Sequence, residues 1–417
     1  MNGAAGEEFF LVFMRTDYTS PMSSEKNLKL INFFAFFAGS WFFIPILLPY
    51  CQDHIGVGYR ELMFSEAIFA ATCVLLDVPT GWVSDVWRRK NTLALGAAMV
   101  FVGEGILLFA SSFWHLIFSQ VLMGVGISLF NGTHTALLYD TLLSLGRTEE
   151  YRRREGKRQA LTLYGIAVAG TIGGFVYDAN PFLPIVFSMI AIAIVFAVSC
   201  AMREPERHCQ IGAKTPIRDI LKTFKYVLRG HEEVGLVILL AAVLFSSTKG
   251  ISWTQQPYYL ALGIPKAYYG VLMALGWGLG GASSHMAHLL DGKINNFRAL
   301  FAAWGLAILV CLGAGSHLGS SGVVLLMFGG SCIYGATSPR VNEIINKSAD
   351  SSRRATLLST QTFSASVLFV PVCSLIGWVA DKQGIQTAHF FIAAWLGVLG
   401  IGLFLLKRSH ALRMLKF

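Results

Sequence analysis

The chain has 417 residues, of which 54% are hydrophobic and only 14% charged, and its mean hydropathy is +0.57. Soluble globular domains carry roughly 25% charged residues, so this composition excludes that class. The net charge of +9 is spread over short connections between apolar runs, which argues against a nucleic-acid-binding face. The seven cysteines lie mostly inside apolar runs and show neither a disulfide framework nor a metal-binding spacing.

Apolar stretches long enough to cross a membrane recur along the whole chain. A hydrocarbon core ~30 Å thick needs about 20 apolar residues in a helix. Twelve such stretches are predicted, and we call them spans 1 to 12. In chain order they cover residues 29–50, 61–83, 92–112, 115–139, 157–178, 182–202, 234–255, 267–290, 297–315, 321–345, 354–378 and 385–407. The predicted class is therefore an all-α membrane protein.

The polar segments divide these spans into two sets of six. Residues 1–26 lack the layout of a signal peptide and are predicted to form a cytoplasmic tail, with Met22 as an alternative start. Residues 27–205 contain the first six spans and residues 233–417 the last six. Between them, residues 206–232 alternate apolar and basic side chains at helical spacing, which predicts an amphipathic linker at the membrane surface.

The charges of the connections predict the orientation. Connections from an odd to an even span carry few cations, namely Arg60, Lys266 and Lys382, whereas the other connections and the chain end carry many. Because Lys and Arg near span ends stay on the cytoplasmic side, both termini are predicted to be cytoplasmic, in a plasma (bacterial inner) membrane. Below, the two ends of the bundle are called the cation-rich face, predicted to be cytoplasmic, and the cation-poor face.

A short sequence element recurs every three spans. Gly81-Trp82-Val83-Ser84-Asp85 ends span 2, Gly174-Phe175-Val176-Tyr177-Asp178 ends span 5, and Gly377-Trp378-Val379-Ala380-Asp381 ends span 11. Asp291-Gly292 occupies the matching point after span 8. Secondary transporters are built from inverted three-helix repeats, and such repeats would leave this pattern.

The connection after span 2 carries the most specific motif. Gly81, Ser84, Asp85, Arg89 and Lys90 resemble the loop between helices 2 and 3 of the major facilitator superfamily. Val86 stands where that family usually has a cation, and Arg88 where it has a glycine. The resemblance extends from about residue 27 onward and is to the drug-efflux and small-molecule exporter branches. It implies twelve helices in two pseudo-symmetric six-helix halves, alternating access and a monomer.

Span 5 resembles the helix-5 motif of the antiporters in this family. The double glycine Gly173-Gly174 is kept, while Ala169-Gly170 stands where Gly-Pro is expected. Small residues let helices approach closely, which predicts a contact with span 8, itself rich in glycine between residues 276 and 281. Without the proline, this motif indicates export only weakly.

The resemblance also implies a gate at the cytoplasmic side. In the family the motif aspartate faces the start of helix 11, where the helix dipole favours an anion. Ion pairs from the two arginines at the start of span 11 would hold that side shut in the outward-open state. The predicted gate residues are Asp77, Gly81, Asp85, Arg88, Arg89, Lys90, Arg353 and Arg354.

The resemblance further implies that helices 1, 4, 7 and 10 line a central cavity. The side chains predicted to face it are Trp41, Asn131, His134, Lys249, Trp253, Gln256 and Arg340. Lys249, Trp253 and Gln256 would share one helical face, as would Asn131 and His134. A lone cation beside an aromatic ring suits an anionic or carbonyl-rich substrate. The alternative is an ion pair of Lys249 with Glu66 that closes the outer gate.

Three carboxylates are candidates for proton coupling, because ionisable groups inside spans are costly and commonly functional. They are Glu66, Glu104 and Glu343. Glu104 has the alternative role of an interhelix link, and Glu343 can pair with Arg340 three residues earlier. Gln120 stands where antiporters of the family often carry an arginine, which weakens the transfer of their mechanism.

These observations predict a secondary active transporter that exports a small anionic or amphiphilic organic compound in exchange for protons. One alternative is an importer of an anionic metabolite or siderophore in the same fold, and another is a non-transporting receptor or scaffold. The chain has no Gly-x-x-x-x-Gly-Lys-(Ser/Thr) loop for ATP and no recognisable catalytic set. We therefore expect neither an enzyme nor a bound cofactor or metal.

Overall fold

The computed structural model describes residues 21–205, 232–287, 295–348 and 354–414. Throughout these ranges the regular structure is helical, which confirms the all-α class. Nine helical segments of the described residues are long and apolar enough to cross a membrane. Most of the predicted tail (residues 1–20) and of the predicted linker (residues 206–231) lies outside the described ranges. The first helix starts at Pro21, within the predicted tail.

Eight of the predicted spans are single, continuous helices. They are span 2 (Tyr59–Val86), span 3 (Arg89–Leu108), span 5 (Tyr151–Ala179), span 6 (Leu183–Ala201), span 8 (Tyr269–Met286), span 9 (Asn296–Ser316), span 11 (Arg354–Gln383) and span 12 (Ile385–Met414). These are the second and third members of each group of three.

The first span of each group of three is interrupted. Span 1 consists of Pro21–Ala38, a 3₁₀ turn Ile44–Ile46 and a short helix Leu47–Tyr50, and a π turn Cys51–Ile55 follows it in the connection to span 2. Span 4 is split into Phe113–Phe130 and Thr133–Ser144, and span 7 into Glu232–Trp253 and Gln255–Ala261. Span 10 runs Ser320–Met327, a π turn Phe328–Cys332, then Ile333–Ser348. Interrupted and π-turn helices are common at functional sites, and in transporters they form the substrate site.

Two of the interruptions have a clear local cause. In span 4, Asn131 ends the first helix and Gly132 has φ of +74°, a left-handed conformation that glycine adopts without a steric penalty. In span 7, Pro257 lacks a backbone N–H, so the carbonyl of Trp253 four residues earlier has no helical partner. Both interruptions therefore leave backbone groups that other elements must satisfy.

The two halves repeat the same packing. Spans 1 and 5, 2 and 4, 3 and 6, and 3 and 4 pack together in the first half. In the second half the corresponding pairs, with six added to each number, are 7 and 11, 8 and 10, 9 and 12, and 9 and 10. This recurrence supports the predicted division into two pseudo-symmetric halves.

Spans 2 and 11 and spans 5 and 8 join the halves. Between spans 5 and 8 the backbones touch: a side chain at Gly270 would collide with the Gly170 carbonyl, and one at Gly174 with the Ala267 carbonyl. The predicted close approach of spans 5 and 8 is thus confirmed. It uses Gly270 of span 8, whereas Gly280 approaches span 10 of its own half.

Candidate functional site

A buried carboxyl group links spans 2 and 4. Glu66 of span 2 is 7% exposed, and its Oε1 accepts a hydrogen bond of 2.6 Å from Nε2 of Gln120 on span 4. The same amide nitrogen lies 3.4 Å from the Ser65 hydroxyl. Gln120 stands where the resemblance implies that antiporters of the family often carry an arginine, and here a neutral amide occupies that position. Its pairing with Glu66 was not predicted from the sequence.

Lys249 of span 7 faces the first half across the boundary between the halves. Its side chain is exposed, and its Nζ lies 4.2 Å from the centre of the Phe369 ring on span 11. Its positive charge acts on Glu66 and Cys73 of span 2 and on Cys373 of span 11. The ion pair with Glu66, the alternative role considered for Lys249, is not formed among the described residues.

The other predicted cavity residues of spans 1, 7 and 10 differ in exposure. The Trp41 indole is half-buried and donates to the Ala38 carbonyl (2.8 Å) at the interruption of span 1, and Trp253 is also half-buried. Arg340 is only 4% exposed and Gln256 only 2%. A one-residue turn at Thr254 separates the helix that ends at Trp253 from the one that begins at Gln255, so the expectation that Lys249, Trp253 and Gln256 share one helical face stays a prediction.

The prediction that Asn131 and His134 share a helical face is wrong, because the non-helical residues Asn131 and Gly132 separate the two helices of span 4. The exposed Asn131 amide donates to Oδ1 of Asp77 (3.0 Å). His134 places Nδ1 2.6 Å from the Phe130 carbonyl oxygen, and its ring stacks on Phe34. His134 thus satisfies a backbone group freed by the interruption, while Asn131 ties that interruption to span 2.

The motif after span 2 is bound within the first half. Arg89 pairs with Asp140 of span 4 at 2.5 Å, and the two carboxylate oxygens of Glu204 accept from the backbone N–H groups of Arg89 and Lys90 (3.0 and 3.2 Å). A carboxylate at the first turn of span 3 also complements the helix dipole. Arg88 is half-buried at the residue before that helix, and a side chain at Gly81 would meet open space.

The predicted gate contact with span 11 lies outside the described residues. Arg353 and the side chains of Asp85 and Arg354 lie outside what the structure describes. Asp77, whose side chain is described, is exposed and bonded to Asn131. Sequence reasoning missed both partners of the motif, Asp140 and Glu204, because each is distant in the chain and neither belongs to a recognisable pattern.

The two remaining proton-coupling candidates lie in contrasting places. Glu104 of span 3 is 2% exposed, and its Oε2 is buried with no hydrogen-bond partner in the described part of the molecule. Span 3 packs on spans 4 and 6 of its own half. Glu343 of span 10 is exposed. In the described ranges, no group of three or more His, Cys, Asp or Glu side chains could hold a metal ion.

At the cation-poor face the halves are in direct contact. The Gln256 amide oxygen accepts from the Leu48 N–H (2.9 Å), and its nitrogen donates to the Ile44 carbonyl (2.9 Å). The Tyr59 hydroxyl donates to the Trp253 carbonyl (3.2 Å), and the Cys373 thiol to the Met63 carbonyl (3.2 Å). Spans 1 and 2 are thereby joined to spans 7 and 11, and this face is closed.

The rim of the cation-poor face adds an ion pair between the connections. Lys266 pairs with Asp53 at 2.5 Å, and the Tyr177 hydroxyl donates to the same carboxylate oxygen (3.1 Å). Partial burial acts to raise the pKa of Asp53. The hydrogen bonds from Lys266 and Tyr177 and the positive charge of Lys266 outweigh it, so the pKa is lowered from its ordinary 3.8. Asp53 is therefore ionised at neutral pH.

Comparison with known families matches most of the chain. The family model described as Major Facilitator Superfamily matches residues 30–370. Multidrug resistance protein 1 of Bacillus subtilis (strain 168) is 25% identical over 207 residues, which are 48% of this chain and 52% of that protein. This chain spans only 21% to 52% of the length of the four curated relatives that it matches.

Solved structures share the fold at low identity. The crystal structure of the nucleoside transporter NupG has a TM-score of 0.71 and 15% identity, covering 91% of this chain and 98% of that one. A bacterial homologue of the human lysosomal transporter Spinster, described as inward-facing and unoccupied, has a TM-score of 0.72 and 13% identity, with coverages of 94% and 98%. Identities this low show the fold alone.

Proposed function

Because the chain belongs to the major facilitator superfamily, we propose that this multi-pass membrane transporter is proton-coupled and moves a small organic solute by alternating access. Glu66 is the proposed proton carrier, and Lys249 and Trp253 contribute to the solute site. The observation that carries the proposal is the buried Glu66 carboxyl, bonded to a neutral amide and within the field of Lys249 at the boundary between the halves.

The chemistry of this arrangement links protonation to solute binding. A carboxyl group in an apolar surrounding with only a neutral hydrogen-bond donor is costly to ionise. The nearby positive charge of Lys249 acts in the other direction and stabilises the ionised form. A cationic or amphiphilic solute that binds beside Glu66 competes with the proton, which produces exchange. Export in exchange for protons is the direction we propose for such a solute, in keeping with the multidrug resistance protein among the relatives.

A second candidate function is favoured by the exposed Lys249 in the second half. An anion bound to its ammonium neutralises the charge that stabilises ionised Glu66, so the anion and the proton bind together rather than compete. Linked binding of this kind produces co-transport, and for an anionic solute it favours uptake. The charge of the solute therefore distinguishes export by exchange from import by co-transport.

The test is solute-induced proton movement in liposomes that contain the purified protein and an internal pH-sensitive dye. A panel of cationic, neutral amphiphilic and anionic compounds is added, and the sign of the pH change reports exchange or co-transport. Glu66→Gln is expected to abolish solute-driven proton movement. Glu104→Gln, which removes a buried carboxyl of span 3, is the matched control and is expected to retain it.

Lys249→Met is expected to abolish responses to anions, while Lys266→Met, at the rim, retains them. Proton movement that persists in Glu66→Gln and is lost in Glu104→Gln would transfer the carrier role to Glu104. Unchanged proton movement in the double variant would refute proton coupling through either carboxyl.

A further inference from the structure

The interruption of span 7 exposes a backbone acceptor that the opposite half occupies. Since Pro257 has no N–H, the Trp253 carbonyl cannot complete its helical hydrogen bond. The Tyr59 hydroxyl from span 2 donates to this oxygen at 3.2 Å. Tyr59 is 6% exposed, so the bond lies inside the contact between the halves. A buried carbonyl without a hydrogen-bond donor is unfavourable, and the opposite half supplies that donor through Tyr59.

At the interruption of span 1, the bonding side chain comes from the second half. In a regular helix the Leu48 N–H would bond to the Ile44 carbonyl four residues earlier. Instead, the Gln256 amide of span 7 accepts from the first and donates to the second, each at 2.9 Å, while the Ile44 carbonyl also accepts from the Leu47 N–H of its 3₁₀ turn. One side-chain amide thus takes the place of one helical hydrogen bond. Insertion of a side chain into this ladder is a recognised cause of helix kinks.

Gln255, the residue before Gln256, bonds within its own half. Gln255 donates to the Leu326 carbonyl of span 10 (3.2 Å), just before the π turn Phe328–Cys332 of its own half. Gln255 and Gln256 are both buried, at 4% and 2% exposure. Two adjacent glutamines in the same short helix therefore face different halves, one within its own half and one across the boundary.

We propose that Gln256 and Tyr59 form a latch that holds the cation-poor face closed, and that Gln256 is released by exchange of hydrogen bonds. When the halves part, the Gln256 amide leaves span 1 and the Leu48 N–H bonds to the Ile44 carbonyl. Span 1 straightens and leaves neither backbone group unsatisfied. The inference rests on alternating access as part of the proposed function, but not on proton coupling or on the identity of the solute.

A native cysteine reports the opening. Cys373 of span 11 is fully buried against span 2, with its thiol on the Met63 carbonyl (3.2 Å). It becomes reachable when spans 2 and 11 separate. The rate of its alkylation by N-ethylmaleimide, read by peptide mass spectrometry on the purified full chain, measures the open population. Cys200, which is exposed, corrects for differences in reagent activity.

Gln256→Met keeps the volume of the side chain and removes both hydrogen bonds. We expect Cys373 to be alkylated about tenfold faster, because a tenfold change corresponds to ~1.4 kcal/mol, the scale of one or two net hydrogen bonds. Gln255→Met, the matched control, is expected to leave the rate at the wild-type value. Equal acceleration in both variants, or none in Gln256→Met, would overturn the latch.

A distance measurement separates opening from local unfolding. Spin labels at Gln52 and Tyr268, both exposed on cation-poor connections of opposite halves, report the separation by pulsed electron resonance. Gln256→Met is expected to shift the distance distribution to longer values without broadening it into that of denatured protein. Fast alkylation with an unchanged distance would mean local loosening and would refute the latch. Neither readout uses a solute or a pH gradient, so its outcome is independent of the proton-coupling test.

Discussion

The interruptions of spans 1 and 7 and those of spans 4 and 10 are bonded to different parts of the molecule. Backbone groups freed in spans 1 and 7 bind Gln256 and Tyr59 from the opposite half. The Thr80 hydroxyl lies 3.0 Å from the Ser128 carbonyl near the interruption of span 4 and 2.8 Å from the Leu76 carbonyl of its own helix. Gln255 donates to the Leu326 carbonyl of span 10, so the contacts of both interruptions stay within one half. The first pair can change its bonds only when the halves move, whereas the second pair stays bonded as each half moves as a unit.

This difference separates two tasks that interrupted helices perform. Interruptions bonded across the boundary hold the two halves in one relative position, and their bonds change when the halves move. Interruptions bonded within a half shape the half itself. Substitutions at the first kind should change the conformational equilibrium with little change in stability, and substitutions at the second kind should do the reverse.

The largest effect is expected where backbones touch. Gly270→Val places a branched side chain against the Gly170 carbonyl of the opposite half, whereas Gly335→Val places it against the Gly280 carbonyl of the same half. Overpacking costs about 1–3 kcal/mol. Gly270→Val should therefore open the cation-poor face and accelerate Cys373 alkylation by roughly ten- to hundredfold, since 1.4 kcal/mol is a factor of ten. Gly335→Val should instead lower the melting temperature, measured by scanning fluorimetry. A common response of the two variants would contradict the distinction.

At the interruption of span 4, Gly132→Ala forces a side chain into a left-handed conformation at φ of +74°, although no atom blocks the added carbon. The strain should lower the free energy of unfolding by about 1–2 kcal/mol. Because this interruption is bonded within the first half, Cys373 alkylation should stay at the wild-type rate. Denaturant melts in detergent together with the alkylation assay check both parts, and a faster alkylation would show that span 4 also controls the boundary.

A smaller, matched pair removes one hydroxyl from each kind of interruption. Tyr59→Phe deletes the donor to the Trp253 carbonyl, and Thr80→Val deletes the hydroxyl 3.0 Å from the Ser128 carbonyl. One net hydrogen bond is worth about 1 kcal/mol, roughly a fivefold change in an equilibrium. Tyr59→Phe should accelerate Cys373 alkylation by about that factor, and Thr80→Val should lower stability instead. Cys373 alkylation and denaturant melts measure the two effects. Faster alkylation in Thr80→Val together with lower stability in Tyr59→Phe would refute the division into interruptions that join the halves and interruptions within one half.

The smallest effect is expected at the exposed rim, where the Asp53–Lys266 pair also crosses the boundary. The Asp53 side chain is 45% exposed, so screening limits the pair to about 0.5 kcal/mol or less. Because the pKa of Asp53 is lowered, the contribution is present above its ordinary value of 3.8 and is lost as pH falls through the lowered pKa. The label distance should be constant from pH 5 to 8 and lengthen only slightly below pH 4 or in Asp53→Asn. A marked change near neutral pH would assign the pH response to another group.

Composition, span positions and the motif after span 2 were sufficient to predict the helical class and the family. Apolar length and loop charge act locally along the chain, so they can be read without knowing which helices touch. The positions of the helix interruptions could be predicted only in part from the sequence. Pro257 and Gly132 are visible signals of a helix break, yet the pattern of one interruption at the start of every three-helix group was not predicted.

The partners of the candidate residues were beyond sequence reasoning. Lys249 and Glu66 were identified because an ionisable side chain in an apolar run is conspicuous. Gln256 was predicted to face the cavity, but the bonding partners of Gln120, Gln256 and Tyr59 were not predicted, since a neutral polar residue in a span has no distinctive pattern. Gln120 depends on the Glu66 carboxyl of another span, and Gln256 and Tyr59 depend on backbone groups of another span, in one case more than two hundred residues away.

By itself, the sequence determined that this chain is a helical membrane protein of the major facilitator superfamily, because hydrophobic length, loop charge and a short motif carry that information locally. Only the tertiary structure decided which interruptions join the halves and which stay within one. A freed carbonyl or N–H group must find a partner, and which partner is available depends on the packing of spans distant in the chain.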